Sequence, residues 1–193
     1  MVCYDSVSYA RVNHFDPHHW RAVARYLEPR PGMRILEVGC GRGLLLKRIQ
    51  DEGADAVGVD ANPQAIANSV ADRAYVMPGE RLDFPDDHFD GLCSMHTIEH
   101  IPDIDGALAE MCRVVRPGGT LVMVYPAEPI MGLYAIPSSV ILHGTPLRAR
   151  EIHCHKLTPR RLRARMRDLP VEQVASAFSL FQWPQFTTVL RRR

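Results

Sequence analysis

The sequence predicts an α/β fold with a largely parallel sheet and helices on both of its faces. Three observations carry that reading. Short apolar runs alternate with helical segments between residues 16 and 126, joined by short connections. That rhythm means parallel pairing with helical crossovers. Second, Gly39, Gly41 and Gly43 fall at every second position in "ILEVGCGRGLLL", straight after one apolar run and straight before another. A strand, a glycine-rich turn and a helix make a cradle in which a ligand comes close to the backbone and helix amides face it. Third, Asp60 closes the next apolar run, "DAVGVD". An acid at the end of the second strand, about twenty positions on, grips a ribose.

The elements follow in order. "DPHHWRAVARYL" (16–27) reads as a helix with Asp16 as cap and Pro17 in its first turn. "EPRPGM" breaks it, and "RILEVGC" (34–40) has the length and bounds of a buried strand. "GLLLKRIQDEG" is a helix stopped by Gly53, "DAVGVD" (55–60) a second strand, and "NPQAIANSVADR" (62–73) a helix capped by Asn62. "AYVMPG" (74–79) is a short third strand and "HFDGLCSMH" (88–96) a stronger fourth. "DIDGALAEMCRVVRPGG" is a helix ended by Pro117 and a glycine pair, and "TLVMVYP" (120–126) a fifth strand. The rhythm then breaks. Residues 127–157 carry prolines, scattered apolar residues, His143, His153 and His155, and read as an insertion of loop or short helices. "TPRRLRARMRDL" (158–169) is a helix capped by Thr158; "VEQVASAFSL" and "QFTTVLRRR" are two closing strands.

At 193 residues, 46% apolar and 23% charged, the chain fits one globular domain, 1–193. Its net charge of +1 is not built to neutralise a polyanion. No run of eighteen apolar residues offers a membrane span, and "MVCYDSVSYARVNHFDPHHW" lacks the form of a secretory signal, so a cytoplasmic location is expected. The five cysteines, Cys3, Cys40, Cys93, Cys112 and Cys154, are widely spaced with no CxxC pair, which speaks against zinc and disulfide frameworks.

The turn is not a dinucleotide fingerprint, because Leu44 stands where G-x-G-x-x-G/A needs a small residue. Nor is it a P-loop, which needs Lys and Ser or Thr after its last glycine. The pattern is E-x-G-x-G-x-G, headed by Glu37. An acid there suits a ligand with a positive end, such as an ammonium group.

"ILEVGCGRG", "GVDANPQAI", "LDFPDDHFDGLCSMHTIEHI" and "RVVRPGGTLVMVYP" together resemble the successive motifs of class I S-adenosylmethionine-dependent methyltransferases, of the type-11 small-molecule kind. Four motifs in order cover residues 34–126. The resemblance implies a Rossmann-like, doubly wound, seven-stranded sheet, mostly parallel with an antiparallel last strand. It implies S-adenosylmethionine as cofactor, with Gly39, Cys40 and Gly41 against its methionine half, Glu37 and Gly43 in the same turn, and Asp60 on both ribose hydroxyls. Ala61 would flank the adenine, and the backbone near Met95 would meet the methionine amine. One departure stands out: family members often carry an Asp for the adenine amino group where this chain has Pro78. Either backbone amides around Gly79 to Leu82 hold the adenine, or Glu80 reaches it. A lid over residues 1–28 and a substrate-side insertion over 127–157 complete the expected domain.

Methyl transfer from a sulfonium is a direct displacement, helped by alignment and exclusion of water. A base is needed only when the acceptor must lose a proton, and histidine suits that task. His96 and His100, in "HTIEH" at the mouth of the fourth strand, are the candidate catalytic pair. Pure positioning of the acceptor is the alternative. No metal is assigned, although His96, Glu99, His100 and His155 form an alternative metal set, because H-x-x-E-H strings bind divalent ions in other folds. Ubiquinone-pathway and small-RNA methyltransferases carry a similar E-x-x-E-H string there; this chain has His96 at its head. The arginines of 148–167 read as a solvated helix face. The expected activity is methylation, foremost at oxygen, of a small-molecule acceptor by a monomer or homodimer working without nucleic acid. A methyltransferase-fold partner subunit without catalysis and an RNA methyltransferase are the competing readings. The intact glycine turn and Asp60 argue against the first, and the near-neutral charge against the second.

Overall fold

Four of the five helix starts described in the computed structural model carry a side-chain cap, and the helix that follows the glycine turn carries none. The structure describes residues 16–127, 154–180 and 184–193. Helix α1 (Pro17–Tyr26) begins where the Asp16 carboxylate accepts the His18 N–H at 2.8 Å. Strand β1 (Arg34–Val38) follows, then α2 (Leu44–Asp51), β2 (Asp55–Asp60) and α3 (Pro63–Ala67), where the Asn62 side chain accepts the N–H groups of Gln64 and Ala65. Next come β3 (Ala74–Val76), β4 (Phe89–Met95), α4 (Ile104–Val114), β5 (Val115–Pro126), α5 (Pro159–Arg165), β6 (Val171–Ser179) and β7 (Gln185–Arg192).

The strands form one seven-stranded sheet in the order β3-β2-β1-β4-β5-β7-β6. Pairings from β3 through β5 are parallel, and β7 runs antiparallel to both β5 and β6. The expected doubly wound sheet with an antiparallel last strand is therefore present. The order reverses between β1 and β4. In open α/β sheets such a switch point opens a crevice at the carboxyl ends of the strands. The sheet buries both faces. Leu36, Leu92, Leu121 and Met123 pack under α4 and α5, while Ile35, Cys93, Val122 and Val124 pack under α1 and α2. Cys40, Cys93 and Cys112 are buried free thiols and Cys154 is an exposed one.

Several boundaries differ from the sequence reading, two of them for a reason the contacts show. Helix α3 stops at Ala67 rather than Arg73. The Ser69 hydroxyl takes the Ala71 N–H at 3.1 Å, and the Val70 N–H donates to the Arg42 carbonyl in the glycine turn at 2.9 Å. Side-chain and cross-chain bonds thus replace the helical ladder. Strand β5 begins at Val115, before the "PGG" expected to separate helix from strand. Its pairing jumps from Phe89↔Val115 to Gly91↔Thr120, so the prolyl-glycine segment becomes a bulge with Gly118 at φ +80°. Helix α5 ends at Arg165, short of the expected Leu169.

Candidate functional site

The glycine turn lies at the carboxyl end of β1, on the switch point. Gly39, Gly41 and Gly43 have φ of +81°, +54° and +72°, values that favour glycine. A Cβ on Gly39 would sit 2.0 Å from the Thr97 hydroxyl oxygen, and one on Gly43 would sit 2.8 Å from Ala71 and Ser69. These two glycines therefore let neighbouring chain segments close over the turn. The turn is bonded within the protein. The Gly39 and Cys40 N–H groups donate to the Val59 carbonyl, Gly43 donates to the Cys40 carbonyl, and Gly41 donates to Asp60. Those four turn amides are thus taken within the protein. That gives a structural reason why the turn is no pyrophosphate cradle, which works by amide donation.

Asp60 ends β2 with its carboxylate between two amides. Oδ2 accepts the Gly41 N–H and Oδ1 the Asn62 N–H, both at 2.8 Å. Burial raises its pKa and the two amides pull it back. An ionised carboxylate has about four acceptor sites, so two remain for a pair of hydroxyls. Ala61, next along the chain, is exposed. Glu37, on β1, is 3% exposed, and its Oε2 has no hydrogen-bond partner among the described residues. Burial, then the charge of Asp60, raises its carboxyl well above the ordinary range. The Leu46 amide serves the Glu37 carboxylate, and its other oxygen, buried and unpartnered beside the turn, is what an ammonium group would satisfy, so the residues fit the methionine end of the expected cofactor.

Other expected residues are placed less directly. The Cys40 side chain turns into the core, where Gly58 makes room for it; a Cβ on Gly58 would lie 2.8 Å from its sulfur. Only the Cys40 backbone is left to face a ligand. The Met95 carbonyl already accepts the Thr97 hydroxyl at 3.1 Å. On the adenine side, the Leu82 N–H donates to the Glu110 carboxylate at 2.8 Å and the Arg81 N–H to the Pro78 carbonyl. That leaves the Gly79 and Glu80 end of the segment, with Glu80 half-buried.

At the exit of β4, His96 has φ +51°. Its Nε2 lies 2.7 Å from Gln185 Oε1, and its Nδ1 lies 3.5 Å from Glu99 Oε1. The same glutamate oxygen is 3.7 Å from His100 Nε2. Burial opposes charge on His96, but the Glu99 carboxylate, Gln185 and Asp16 outweigh it and raise its pKa. His155 Nε2 faces the Ile101 carbonyl at 2.9 Å, and among the described residues no group of three ligand side chains forms. His153 and His143 lie outside the described residues.

Two residues, Thr97 and Gln185, escaped the sequence reading. Thr97 caps Gly39 and binds the Met95 carbonyl. Gln185 arrives from β7 and anchors His96 across a separation of 89 residues. His19 of α1 places its ring 5.2 Å from that of His96.

A doubly wound seven-stranded sheet with a glycine turn and an acid on adjacent strand ends defines a class I nucleoside-binding α/β domain. The chain matches the family described as Methyltransferase domain over residues 12–171, and it belongs to that family. S-adenosylmethionine is the cofactor of this class. The Ubiquinone biosynthesis O-methyltransferase of Azorhizobium caulinodans is 35% identical over 113 residues, covering 54% of this chain and 45% of that protein. The Demethylmenaquinone methyltransferase of Mycolicibacterium paratuberculosis is 30% identical over 138 residues, covering 69% of this chain and 60% of that protein. The chain thus spans about half the length of the curated relatives it matches. The crystal structure of an S-adenosylmethionine-dependent methyltransferase from Mesorhizobium loti superposes with a TM-score of 0.71. That match covers 90% of this chain and 97% of the other at 16% identity, and it speaks to the fold.

Proposed function

We propose that this chain transfers a methyl group from S-adenosylmethionine to an oxygen of a small-molecule acceptor. The observation that carries it is the meeting, at one switch point, of the Asp60-pinned glycine turn with the His96–Glu99–Gln185 cluster. When bound, the cofactor supplies an electrophilic methyl group on a sulfonium. Asp60 accepts the ribose hydroxyls, and Glu37 balances the ammonium group. The backbone of Gly39, Cys40, Gly41 and Gly43 lets the ligand approach. The Met95 carbonyl offers a second lone pair to the amine. Ala61 flanks the adenine, and Glu80 with the Gly79 amide takes its polar edge. His96 and His100 line the acceptor's side, with Glu99 between them.

The names of the relatives support the acceptor class, since one is an O-methyltransferase of ubiquinone biosynthesis. The domain reading is a single unit over 1–193, with residues 1–28 as lid and 127–157 on the substrate side; both stretches lie largely outside the described residues. The chain works without nucleic acid, as a monomer or homodimer in the cytoplasm. Among the described residues no helix is long and apolar enough to cross a membrane.

Calorimetry with S-adenosylmethionine, its demethylated product and NAD tests the site, and label transfer to catechol and hydroquinone tests the reaction. Both sulfur ligands should bind at one shared site. Tight NAD binding without response to S-adenosylmethionine would overturn the site. Cofactor binding with no transfer to any small hydroxyl compound would favour a partner subunit without catalysis.

A further inference from the structure

One residue of the adenine-side segment is held at both of its backbone polar groups by a single helix. The segment leaves β3 at Met77, whose N–H donates to the Asp60 carbonyl at 2.9 Å. Pro78 to Arg81 then form a turn closed by the Arg81 N–H on the Pro78 carbonyl. Gly79 and Glu80 are its central residues, and their N–H groups take no part in the bond that closes it. The turn is pressed against the end of β1: a Cβ on Gly79 would sit 3.2 Å from Val38 Cγ1 and 2.9 Å from Ile101 Cδ1. One residue past the turn, α4 takes over. The Leu82 N–H donates to Glu110 Oε2 at 2.8 Å, and the Leu82 carbonyl accepts from Arg113 Nη2 at 2.8 Å. Arg113 Nη1 also donates to the Phe84 carbonyl at 2.8 Å. Glu110 and Arg113 lock each other through two bonds, Nε to Oε1 at 2.7 Å and Nη2 to Oε2 at 2.9 Å. Arg113 foremost, with the Leu82 amide in support, holds the Glu110 carboxyl below its ordinary range, so the acceptor at Leu82 is an anion.

We propose, building on the S-adenosylmethionine reading, that Glu110 and Arg113 are positioning residues for the adenine: by gripping Leu82 they hold the Gly79–Glu80 turn where it reads the adenine edge. Residues 77–88 run as turns and coil between β3 and β4, so α4 supplies the rigidity that a ladder of backbone bonds gives elsewhere. Adenine presents an amino group that donates beside a ring nitrogen that accepts. Matching that pair takes an acceptor and a donor at fixed places, which a loose segment cannot offer. Preorganisation is the mechanism. Affinity falls by the fraction of molecules that hold the competent conformation, so a segment in place about one-tenth of the time binds about tenfold more weakly. The loss falls only on ligands that use the segment. Asp60 and Glu37, on β2 and β1, serve the other parts of the ligand and are untouched by the grip.

Calorimetry of the full chain with S-adenosylhomocysteine and S-inosylhomocysteine reads the adenine edge. The inosyl ligand has a carbonyl for the amino group and a protonated ring nitrogen beside it, so donor and acceptor are exchanged while the sugar and amino-acid ends stay the same. The wild-type chain should prefer the adenosyl ligand at least about tenfold. Glu110→Leu should weaken the adenosyl ligand about tenfold, leave the inosyl ligand within about twofold, and so bring the two together. Glu110→Gln keeps an oxygen for the Leu82 N–H and should hold the preference within about threefold of wild type. Asp86→Asn alters an exposed ion pair of Arg113 without touching Leu82, and should leave the preference as it was. Amide hydrogen exchange without ligand checks the grip itself: Leu82 should exchange faster in Glu110→Leu while the amides of β4 keep their protection. Should Glu110→Leu not fold, Arg113→Lys takes its place, because one ammonium group cannot hold Glu110 and the Leu82 and Phe84 carbonyls together. An equal loss for both ligands in a folded variant would show a merely structural pair and overturn the proposal. So would a preference that survives the release of Leu82. Binding of S-adenosylhomocysteine by the wild type with no preference over the inosyl ligand overturns it too, and leaves the cofactor reading standing. A wild-type chain that binds neither ligand overturns both.

Discussion

Glu37→Gln should stabilise the ligand-free fold and weaken cofactor binding in the same protein. Glu37 is 3% exposed, with Oε2 unpartnered among the described residues. Burial first, and the Asp60 charge second, raise its carboxyl well above its ordinary 4.5. The sign follows from linkage. Above 4.5 the unfolded chain releases this proton while the folded chain retains it, so stability falls as pH rises until the folded value is passed. Each pH unit in that window costs about 1.4 kcal/mol, so the ceiling at pH 7 is about 3 kcal/mol. A buried amide in place of the acid has its own unmet groups, worth about 1–2 kcal/mol. The net gain at pH 7 is then at most about 1–2 kcal/mol, or up to about 8 °C in Tm, and by pH 4 it should have turned into a loss of about 1–2 kcal/mol. Thermal melts of both proteins across pH 4–8 measure it. Calorimetry should show affinity for S-adenosylmethionine reduced at least about tenfold, because a neutral amide cannot balance an ammonium group. A stability difference that does not vary with pH would refute the buried-acid reasoning. Unchanged affinity would refute the ammonium role.

Asp60→Ala removes the acceptor of both the Gly41 and Asn62 amides. Two charge-assisted bonds to a ligand at about 1.5–3 kcal/mol each predict a loss of about 10²–10⁴ in cofactor affinity by calorimetry; binding at wild-type strength would exclude the ribose role. Gly39→Ala places a methyl 2.0 Å from the Thr97 hydroxyl oxygen at φ +81°. It should cost about 1–2 kcal/mol for the backbone and about 1–3 for the overlap. Adding Thr97→Gly in urea melts should recover the overlap share alone, and full recovery would mean the backbone strain is misjudged. Tyr125 is wholly buried, with its hydroxyl 2.7 Å from Thr188 Oγ1, and burial pushes its pKa up to about 12. Tyr125→Phe should cost about 1–3 kcal/mol by orphaning Thr188; a Tyr125→Phe/Thr188→Val double variant no more stable than the single one would argue against that bond.

The local chemistry of this chain is written in short, contiguous patterns, and those were legible. Asp16–Pro17 and Asn62–Pro63 carry their caps within three residues, so helix starts could be read directly. The Gly39–Gly41–Gly43 spacing and Asp60 identified a nucleoside site because the demand for positive φ and for a carboxylate at a strand end acts at single positions. Even Glu37 could be singled out from its place at the head of the turn. The tertiary structure decided which partner each group has. No sequence spacing foretells that the Gly39, Cys40 and Gly41 amides are taken by Val59 and Asp60. Nor does it foretell that α3 stops at Ala67 because the next amides bond across to the glycine turn. His96 is the clearest case. "HTIEH" names a histidine beside a glutamate, but whether its ring carries a free lone pair depends on Gln185, brought from β7 by an antiparallel pairing at the far end of the chain. Charge state and proton-accepting capacity are set by contacts within a few ångströms in space, and the sheet's crossover order, not sequence proximity, chooses those contacts.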